Sequence, residues 1–229
     1  MSINVVERVD DFVKVQNILV SVSDKSGLEQ FIPNLIDINP QIQIYSTGGT
    51  FGRIREILGD STESRLIQVA AYTGQPETQG GLVKTLDFKI YLGLLTETYN
   101  DAHQGDLKRT GSVPIDMVVV NLYPFKETIS QPDVTVELAR GNIDIGGPCM
   151  IRASAKNYIR VASVVDPADY AKILADLKTN RGATSLDLRF QLARKAFDHT
   201  AVYDRTIADF LVSKSIDDVT RCYQLENKE

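Results

Sequence analysis

The residues with the richest potential chemistry lie in one stretch, NIDIGGPCMIRASAKN, at positions 142–157. Asp144 comes just before the pair Gly146–Gly147, and a proline typical of a first helical turn follows. Amides at such a helix start are free to bind an anion. Arg152 and Lys156 are four residues apart and share one helix face. The stretch is a candidate acid–base site, although a capped helix with solvated basic residues fits the pattern as well.

Two loops earlier in the chain have the composition of phosphate-binding turns. SVSDKSG (21–27) and STGGT (46–50) each follow an apolar run and precede a helical pattern. Lys25 offers a positive charge, and Gly48 and Gly49 allow a phosphate to approach the backbone closely. Each loop alone is also explained as a helix cap or a tight turn. Together they favour an anion site, because neighbouring parallel strands bring their ends together.

Two further segments offer single reactive side chains. Lys84 has apolar neighbours in GGLVKTLDFK (80–89), and desolvation would lower the pKa of its amine. The common alternative is a lysine whose stem covers the surface while its amine stays in water. Asn121 and Tyr123, in NLYPF, can hydrogen-bond to a ligand at a strand end, or can belong to a plain turn made by the following proline.

Alternating strand and helix patterns must position these residues. They predict an α/β fold with a mostly parallel sheet flanked by helices and extended by C-terminal helices. We predict strands at 15–22, 42–45, 66–69, 89–95, 117–121 and 161–165. We predict helices from a Ser26 cap through GLEQFIPNLIDI, over FGRIREIL, and at 167–179, 186–198 and 201–212.

The pattern indicates one domain with polar flanks. We expect a flexible lead-in at 1–14, a single domain at 15–213 and a polar, frayed tail at 214–229, with a surface insertion at 97–112.

Composition excludes several classes of function. A net charge of −5 disfavours non-specific binding of nucleic acid or anionic membranes, and no apolar run reaches the length of a membrane helix. Two distant cysteines, Cys149 and Cys222, and an acidic N-terminus predict a cytoplasmic protein without disulfides or a bound metal. His103 and His199 are interpreted as exposed and structural, respectively.

In combination and in order, the motifs resemble the IMP cyclohydrolase domain of the bifunctional AICAR transformylase/IMP cyclohydrolase family. The matching segments run from about Val15 to Phe210 and are SVSDKSGL, STGGT, TGQPE, GGLVKTL, PIDMVVVNLYPF, NIDIGGPCMIRASAKN and LARKAFDHTAVYD. NLYPF together with IDIGG and R-x-x-AKN is highly specific. The resemblance implies a methylglyoxal-synthase-like fold, a purine mononucleotide ligand and no cofactor.

The implied reaction is dehydrative closure of FAICAR, a formylated aminoimidazole carboxamide ribotide, to IMP. The resemblance makes Lys156 and Asp144 the expected proton carriers. Lys84 and Asn121 would donate to the formyl oxygen, and Tyr123 is a further expected catalytic residue. Expected substrate contacts are Ser23, Asp24, Lys25, Thr47, Gly48, Gly49, Thr50, Thr85, Asn121, Leu122, Ile145, Gly146 and Gly147. Family members usually pair as homodimers, and a separate AICAR transformylase is a candidate partner.

One segment departs from the family pattern. The family usually reads GRVKTLHPKVHGGIL where this chain reads GLVKTLDFKIYLGLL. Leu82 stands in place of an arginine, and Asp87–Phe88 and Tyr91–Leu92 replace His-Pro and His-Gly. The local charge becomes less favourable to an anion by about two units. Two alternatives to the cyclohydrolase therefore stay open: a purine-nucleotide-binding relative with weak or no turnover, and a protein that recognises another small phosphorylated substrate.

Overall fold

A five-stranded parallel sheet forms the centre of the molecule. The computed structural model describes residues 5–59, 65–75 and 84–226. The strand order is β4-β3-β2-β5-β6, and all four neighbouring pairs are parallel, which confirms the predicted fold class. The strands are β2 (Asn17–Val22), β3 (Gln43–Ser46), β4 (Leu66–Gln68), β5 (Met117–Asn121) and β6 (Ala162–Val164). A separate antiparallel pair joins β1 (Phe12–Lys14) to β7 (Ala183–Ser185).

The order of the strands fixes where a ligand can bind. From β2 the chain passes outward to β3 and β4, and it then returns to place β5 on the other side of β2. The loops after β2 and β5 therefore diverge and leave a crevice at the carboxyl edge of the sheet.

Helices cover both faces of the sheet. One core cluster includes Ile90, Met150 and Ala193, and the other includes Phe31 and Ile173. The helices are α1 (Leu28–Ile38), α2 (Gly48–Leu58), α3 (Val69–Thr73), α4 (Phe88–Leu95), α5 (Asp101–Thr110), α6 (Phe125–Ile129), α7 (Val136–Gly141), α8 (Gly146–Lys156), α9 (Tyr170–Thr179, after a 3-10 turn at Pro167–Asp169), α10 (Leu186–Val212) and α11 (Ile216–Thr220). None of these helices combines the length and the apolar composition that a membrane span requires.

The prediction of a strand at 89–95 is wrong. Asp87 caps a helix there by accepting a hydrogen bond from the Lys89 amide at 2.8 Å. Ile90, Gly93 and Leu94 are buried at helical spacing. Gly93 is required, because a Cβ there would lie 2.5 Å from the Val113 carbonyl oxygen.

The two predicted C-terminal helices are one continuous helix, α10. The segment KAFDHT contains no proline or glycine to end it. Ala196, Thr200 and Tyr203 continue the buried face across the predicted break.

The flanking segments contain more structure than the sequence indicated. Part of the expected lead-in forms β1, and the expected insertion and tail contain α5 and α11. Arg189, which is fully buried, fastens the lead-in by donating to the Asp10 and Asp11 carbonyls at 2.7 and 3.3 Å. Helix α1 is capped by Gly27 rather than Ser26, because Ser26 donates both its amide and its hydroxyl to Asp24.

Candidate functional site

A cavity of about 600 Å³ opens at the carboxyl edge of the sheet, where the topology predicts it. The loops after β2, β3 and β5, the segment before α4 and the start of α8 surround it. Its lining includes these sequence-predicted residues: Ser23, Lys25, Thr47, Gly48, Gly49, Thr50, Lys84, Thr85, Asn121, Tyr123, Asp144, Ile145, Gly146 and Gly147.

One end of the cavity combines positive charge with free backbone amides. Helix α2 starts there at Gly48, which has a φ of +47° that favours glycine. A Cβ on Gly48 would lie 3.6 Å from Lys84 Nζ, and one on Gly49 would lie 3.8 Å from Lys25 Cε. Two lysines thus flank the first amides of a helix, where the helix dipole is positive. A phosphate monoester fits this combination of charge and donors.

The hydroxyl groups at this end mainly bond within the protein and tie the start of α2 to β2. The Thr50 hydroxyl donates to the Val22 carbonyl at 3.0 Å and accepts from the Val22 amide at 3.1 Å. The Ser21 and Thr47 hydroxyls lie 3.0 Å apart, so β2 is linked to the N-cap of α2 beside the cavity. The expected hydroxyl contacts of Thr50 are therefore already engaged within the protein.

Asn121 organises the loop after β2. Its side-chain oxygen accepts from the amides of Ser23 and Asp24 at 2.6 and 2.9 Å, and its nitrogen donates to the Asp24 carbonyl at 2.8 Å. These three bonds fix the loop against the end of β5. Asn121 thus acts on the cavity chiefly by shaping its wall, in contrast to the expected donation to a formyl oxygen.

The other end of the cavity holds a carboxylate at a second helix start. Asp144 accepts a hydrogen bond from the Gly147 amide at 2.9 Å, at the first turn of α8. Burial raises the pKa of the Asp144 carboxyl above its ordinary value of 3.8, although the amides of Gly147 and Tyr123 oppose this shift. A carboxyl with a raised pKa is suited to exchange a proton with a ligand.

Close backbone packing shapes this end. A Cβ on Gly146 would lie 2.7 Å from the Thr85 hydroxyl, and one on Gly147 would lie 2.6 Å from Asp144 Oδ2. Both glycines are therefore needed for the segment before α4 and the Asp144 carboxylate to meet the start of α8.

Three predicted site residues do not line the cavity. Lys156 is exposed and is the last residue of α8, so the helix carries it about 15 Å from Gly146 towards the amino edge of the sheet. Asp24 faces solvent and binds Ser26. Leu122 is 9% exposed and belongs to the core. Lys156, an expected proton carrier, therefore does not reach the cavity within the single chain.

The segment that departs from the family pattern lies only partly within the described residues, and Leu82 falls outside them. The Asp87 carboxylate caps α4, and Phe88 is 61% exposed. Neither these residues nor Tyr91 and Leu92 line the cavity. The negative charge of Asp87 therefore does not sit where the anion would bind.

Several residues that line the cavity were not predicted. Leu86, Ile143 and Met150 give it an apolar wall, and Ser21 and Gly141 complete its edge. Leu86 and Ile143 each lie within two residues of a predicted contact, and this proximity was the only available signal. For Met150, the only signal was its position in the stretch 142–157, which contains α8.

Comparison with known proteins covers nearly the whole chain. Residues 27–149 match the family model of the MGS-like domain, and residues 154–229 match that of the AICARFT/IMPCHase bienzyme. The bifunctional purine biosynthesis protein PurH of Lactiplantibacillus plantarum is 48% identical over 196 residues, which are 86% of this chain and 37% of that protein. PurH of Bacillus subtilis is 45% identical over 199 residues, or 87% and 37% of the two chains.

The chain thus spans little more than a third of the length of these relatives. Among solved structures, the crystal structure of ForH superposes with a TM-score of 0.74 at 29% identity. That match covers 86% of this chain and 96% of the ForH chain.

Proposed function

The chain belongs to the MGS-like domain family, in the form found in the AICARFT/IMPCHase bienzyme, and from this premise we propose that it is an IMP cyclohydrolase of purine biosynthesis. The observation that carries the proposal is the cavity itself. It has a helix start flanked by two lysines at one end and a half-buried carboxylate at a second helix start at the other. Its volume of about 600 Å³ suits a mononucleotide.

The two ends define how the substrate FAICAR would lie. Its phosphate binds at the Gly48–Gly49 amides between Lys25 and Lys84. Its imidazole ring extends along the apolar wall that includes Met150, towards Asp144. Because the Lys84 ammonium lies beside Gly48, we assign Lys84 to the phosphate rather than to the formyl oxygen.

The chemistry is an intramolecular condensation. The carboxamide nitrogen attacks the formyl carbon, a C–N bond forms, and the formyl oxygen leaves as water. Holding the two groups in contact supplies much of the acceleration. The formyl oxygen needs two protons to leave as water: one comes from the carboxamide nitrogen and one from the formamido nitrogen, and the C–O bond breaks as the C=N bond of the ring forms. Asp144 accepts the carboxamide proton and returns it to the departing hydroxyl, while the Tyr123 hydroxyl and the Gly146 amide stabilise charge on that oxygen. Lys156 has no part in this scheme, because it lies at the far end of α8.

Turnover of synthetic FAICAR tests the proposal directly. Purified protein should convert FAICAR to IMP, and the change in ultraviolet absorbance on ring closure measures this conversion. Tight binding of IMP without any conversion would contradict the cyclohydrolase and support the second candidate, a purine-nucleotide-binding relative. Leu82, where the family usually has arginine, favours that candidate. The position of Asp87 outside the cavity argues for the cyclohydrolase.

Charge at the anion end can be tested separately. Lys84→Met should weaken IMP binding roughly 10- to 100-fold in isothermal titration calorimetry, because a hydrogen bond to a charged group is lost. The difference in IMP affinity between wild type and Lys84→Met should become smaller as the salt concentration is raised. Lys108→Met, at an exposed position on α5, is the matched control and should bind IMP normally. Equal affinity in both variants would remove Lys84 from the site.

Two partner proposals follow from the family. FAICAR must be supplied by an AICAR transformylase, and we propose such an activity as the source of substrate. We also propose a homodimer, for which sedimentation velocity at micromolar concentration is the test.

A further inference from the structure

The side chain of Tyr203, from the middle of α10, contacts two of the loops that build the cavity. It is 8% exposed, and its hydroxyl oxygen accepts a hydrogen bond from the Asp144 amide at 2.8 Å. Its ring packs edge-on against Phe125, with 6.2 Å between the ring centroids. Phe125 begins α6, directly after the turn that carries Tyr123. One side chain on a long helix thus touches both the Asp144 segment and the start of α6, which directly follows the loop after β5.

The hydrogen bond from the Asp144 amide to the Tyr203 hydroxyl holds the backbone from which the Asp144 carboxylate extends. Tyr203 holds the backbone of Asp144, and the Gly147 amide holds its carboxylate at 2.9 Å. Within the described residues, Tyr203 does not line the cavity, so it does not reach a bound ligand itself. Besides Asp144, the ionisable groups that act on the Tyr203 hydroxyl are Tyr123, after β5, and Asp204, beside Tyr203 on α10.

We propose that Tyr203 is a positioning residue: its hydroxyl fixes the backbone of Asp144 and thereby sets the geometry and the hydration of the Asp144 carboxylate. This proposal rests on the function proposed above, in which Asp144 moves the proton. It adds a role for α10, which supplies no residue to the cavity wall within the described chain. Burial raises the pKa of Asp144, and loss of the Tyr203 hydrogen bond would loosen the segment and let water reach the carboxyl.

Tyr203→Phe tests the hydroxyl alone, since phenylalanine keeps the ring packing on Phe125. The loss of one hydrogen bond predicts a three- to tenfold fall in kcat, with KM for FAICAR within about twofold. The acid limb of the kcat–pH profile should move to lower pH, because a looser Asp144 is better hydrated and its pKa returns towards 3.8.

Tyr72→Phe is the matched control. The Tyr72 hydroxyl also accepts a single backbone hydrogen bond, from the Val113 amide at 2.9 Å, and Tyr72 does not line the cavity. Both variants should lose similar stability in urea unfolding. Only Tyr203→Phe should change kcat and the acid limb. A Tyr203→Phe enzyme with wild-type kcat and pH profile, or with changes no larger than those of Tyr72→Phe, would overturn the proposal.

A substrate-free measurement separates this proposal from the proposed function. Carbon-13 NMR titration of the Asp144 carboxyl, together with hydrogen exchange at its amide, needs no FAICAR. A lower carboxyl pKa and faster exchange in Tyr203→Phe alone would support positioning by Tyr203 even if the wild-type protein does not turn over FAICAR. Unchanged values in Tyr203→Phe would refute it even if turnover is found.

Discussion

Alanine at position 147 would place a methyl group in the space that the Asp144 carboxylate occupies. The added Cβ would lie 2.6 Å from Asp144 Oδ2 and 2.6 Å from Leu122 Cδ2. Comfortable contacts of this kind are about 3.5 Å, so each neighbour would have to move by almost 1 Å. Leu122 is packed in the core and cannot yield readily, so the carboxylate must rotate away.

The rotation breaks the 2.9 Å hydrogen bond from the Gly147 amide to Asp144. A hydrogen bond to a charged group contributes about 1.5–3 kcal/mol, which corresponds to a roughly 10- to 100-fold fall in kcat for FAICAR if that geometry is needed for proton transfer. Overpacking against Leu122 should also lower the free energy of unfolding by about 1–3 kcal/mol.

Stopped-flow absorbance with FAICAR and urea unfolding measure the two effects. Gly105→Ala, in the middle of α5 with nothing within 4 Å of the added Cβ, is the control and should keep full activity. A Gly147→Ala protein with wild-type kcat and unchanged stability would show that Asp144 does not act from the observed position.

Two further changes probe the same site and its surroundings. In Asp144→Asn, kcat should fall about 10²- to 10⁴-fold, as expected on removal of a general base. Because the folded protein raises the pKa of Asp144 above 3.8, wild-type stability should fall as pH rises above that value. Urea unfolding at a series of pH values above 3.8 should find this decline reduced in Asp144→Asn. In Asp87→Ala, loss of the cap on the Lys89 amide should lower stability by about 0.5–2 kcal/mol in thermal unfolding. IMP affinity measured by calorimetry should stay unchanged in Asp87→Ala, and a gain in affinity would instead support the interpretation that this carboxylate repels the ligand.

Much of the fold could be predicted because periodicity and strand composition are local signals. The apolar run at 117–121 and the alternation of strands with helices gave the parallel sheet correctly. The prediction of a strand at 89–95 fails because a short apolar run has no clear period, and the sequence alone does not distinguish Asp87 as a helix cap from Asp87 as a change in the charge of the site. The break predicted in α10 falls at His199 and Thr200, two polar residues that the helix accommodates, with His199 half-buried and Thr200 on the buried face.

The candidate site was predictable where residues act through their position in a strand-end loop. Gly48, Gly49 and Asn121 lie in the cavity because the carboxyl ends of parallel strands and the loops after them converge, whereas Asp144 reaches it from the turn between α7 and α8. Lys156 shows the limit of this reasoning: sequence proximity to Gly146 does not bring it near, since a helix of eleven residues separates the two ends by about 15 Å. Tyr203 lies in the matching segment LARKAFDHTAVYD, but no local pattern indicates its contact with Asp144, because the two residues are 59 positions apart.

A crystal structure of the protein with IMP bound tests the central claim most directly. We expect the phosphate within hydrogen-bonding distance of the Gly48 and Gly49 amides and flanked by Lys25 and Lys84, with the purine ring against Asp144. IMP bound elsewhere on the molecule, or in this cavity with its phosphate at the Asp144 end, would contradict the account.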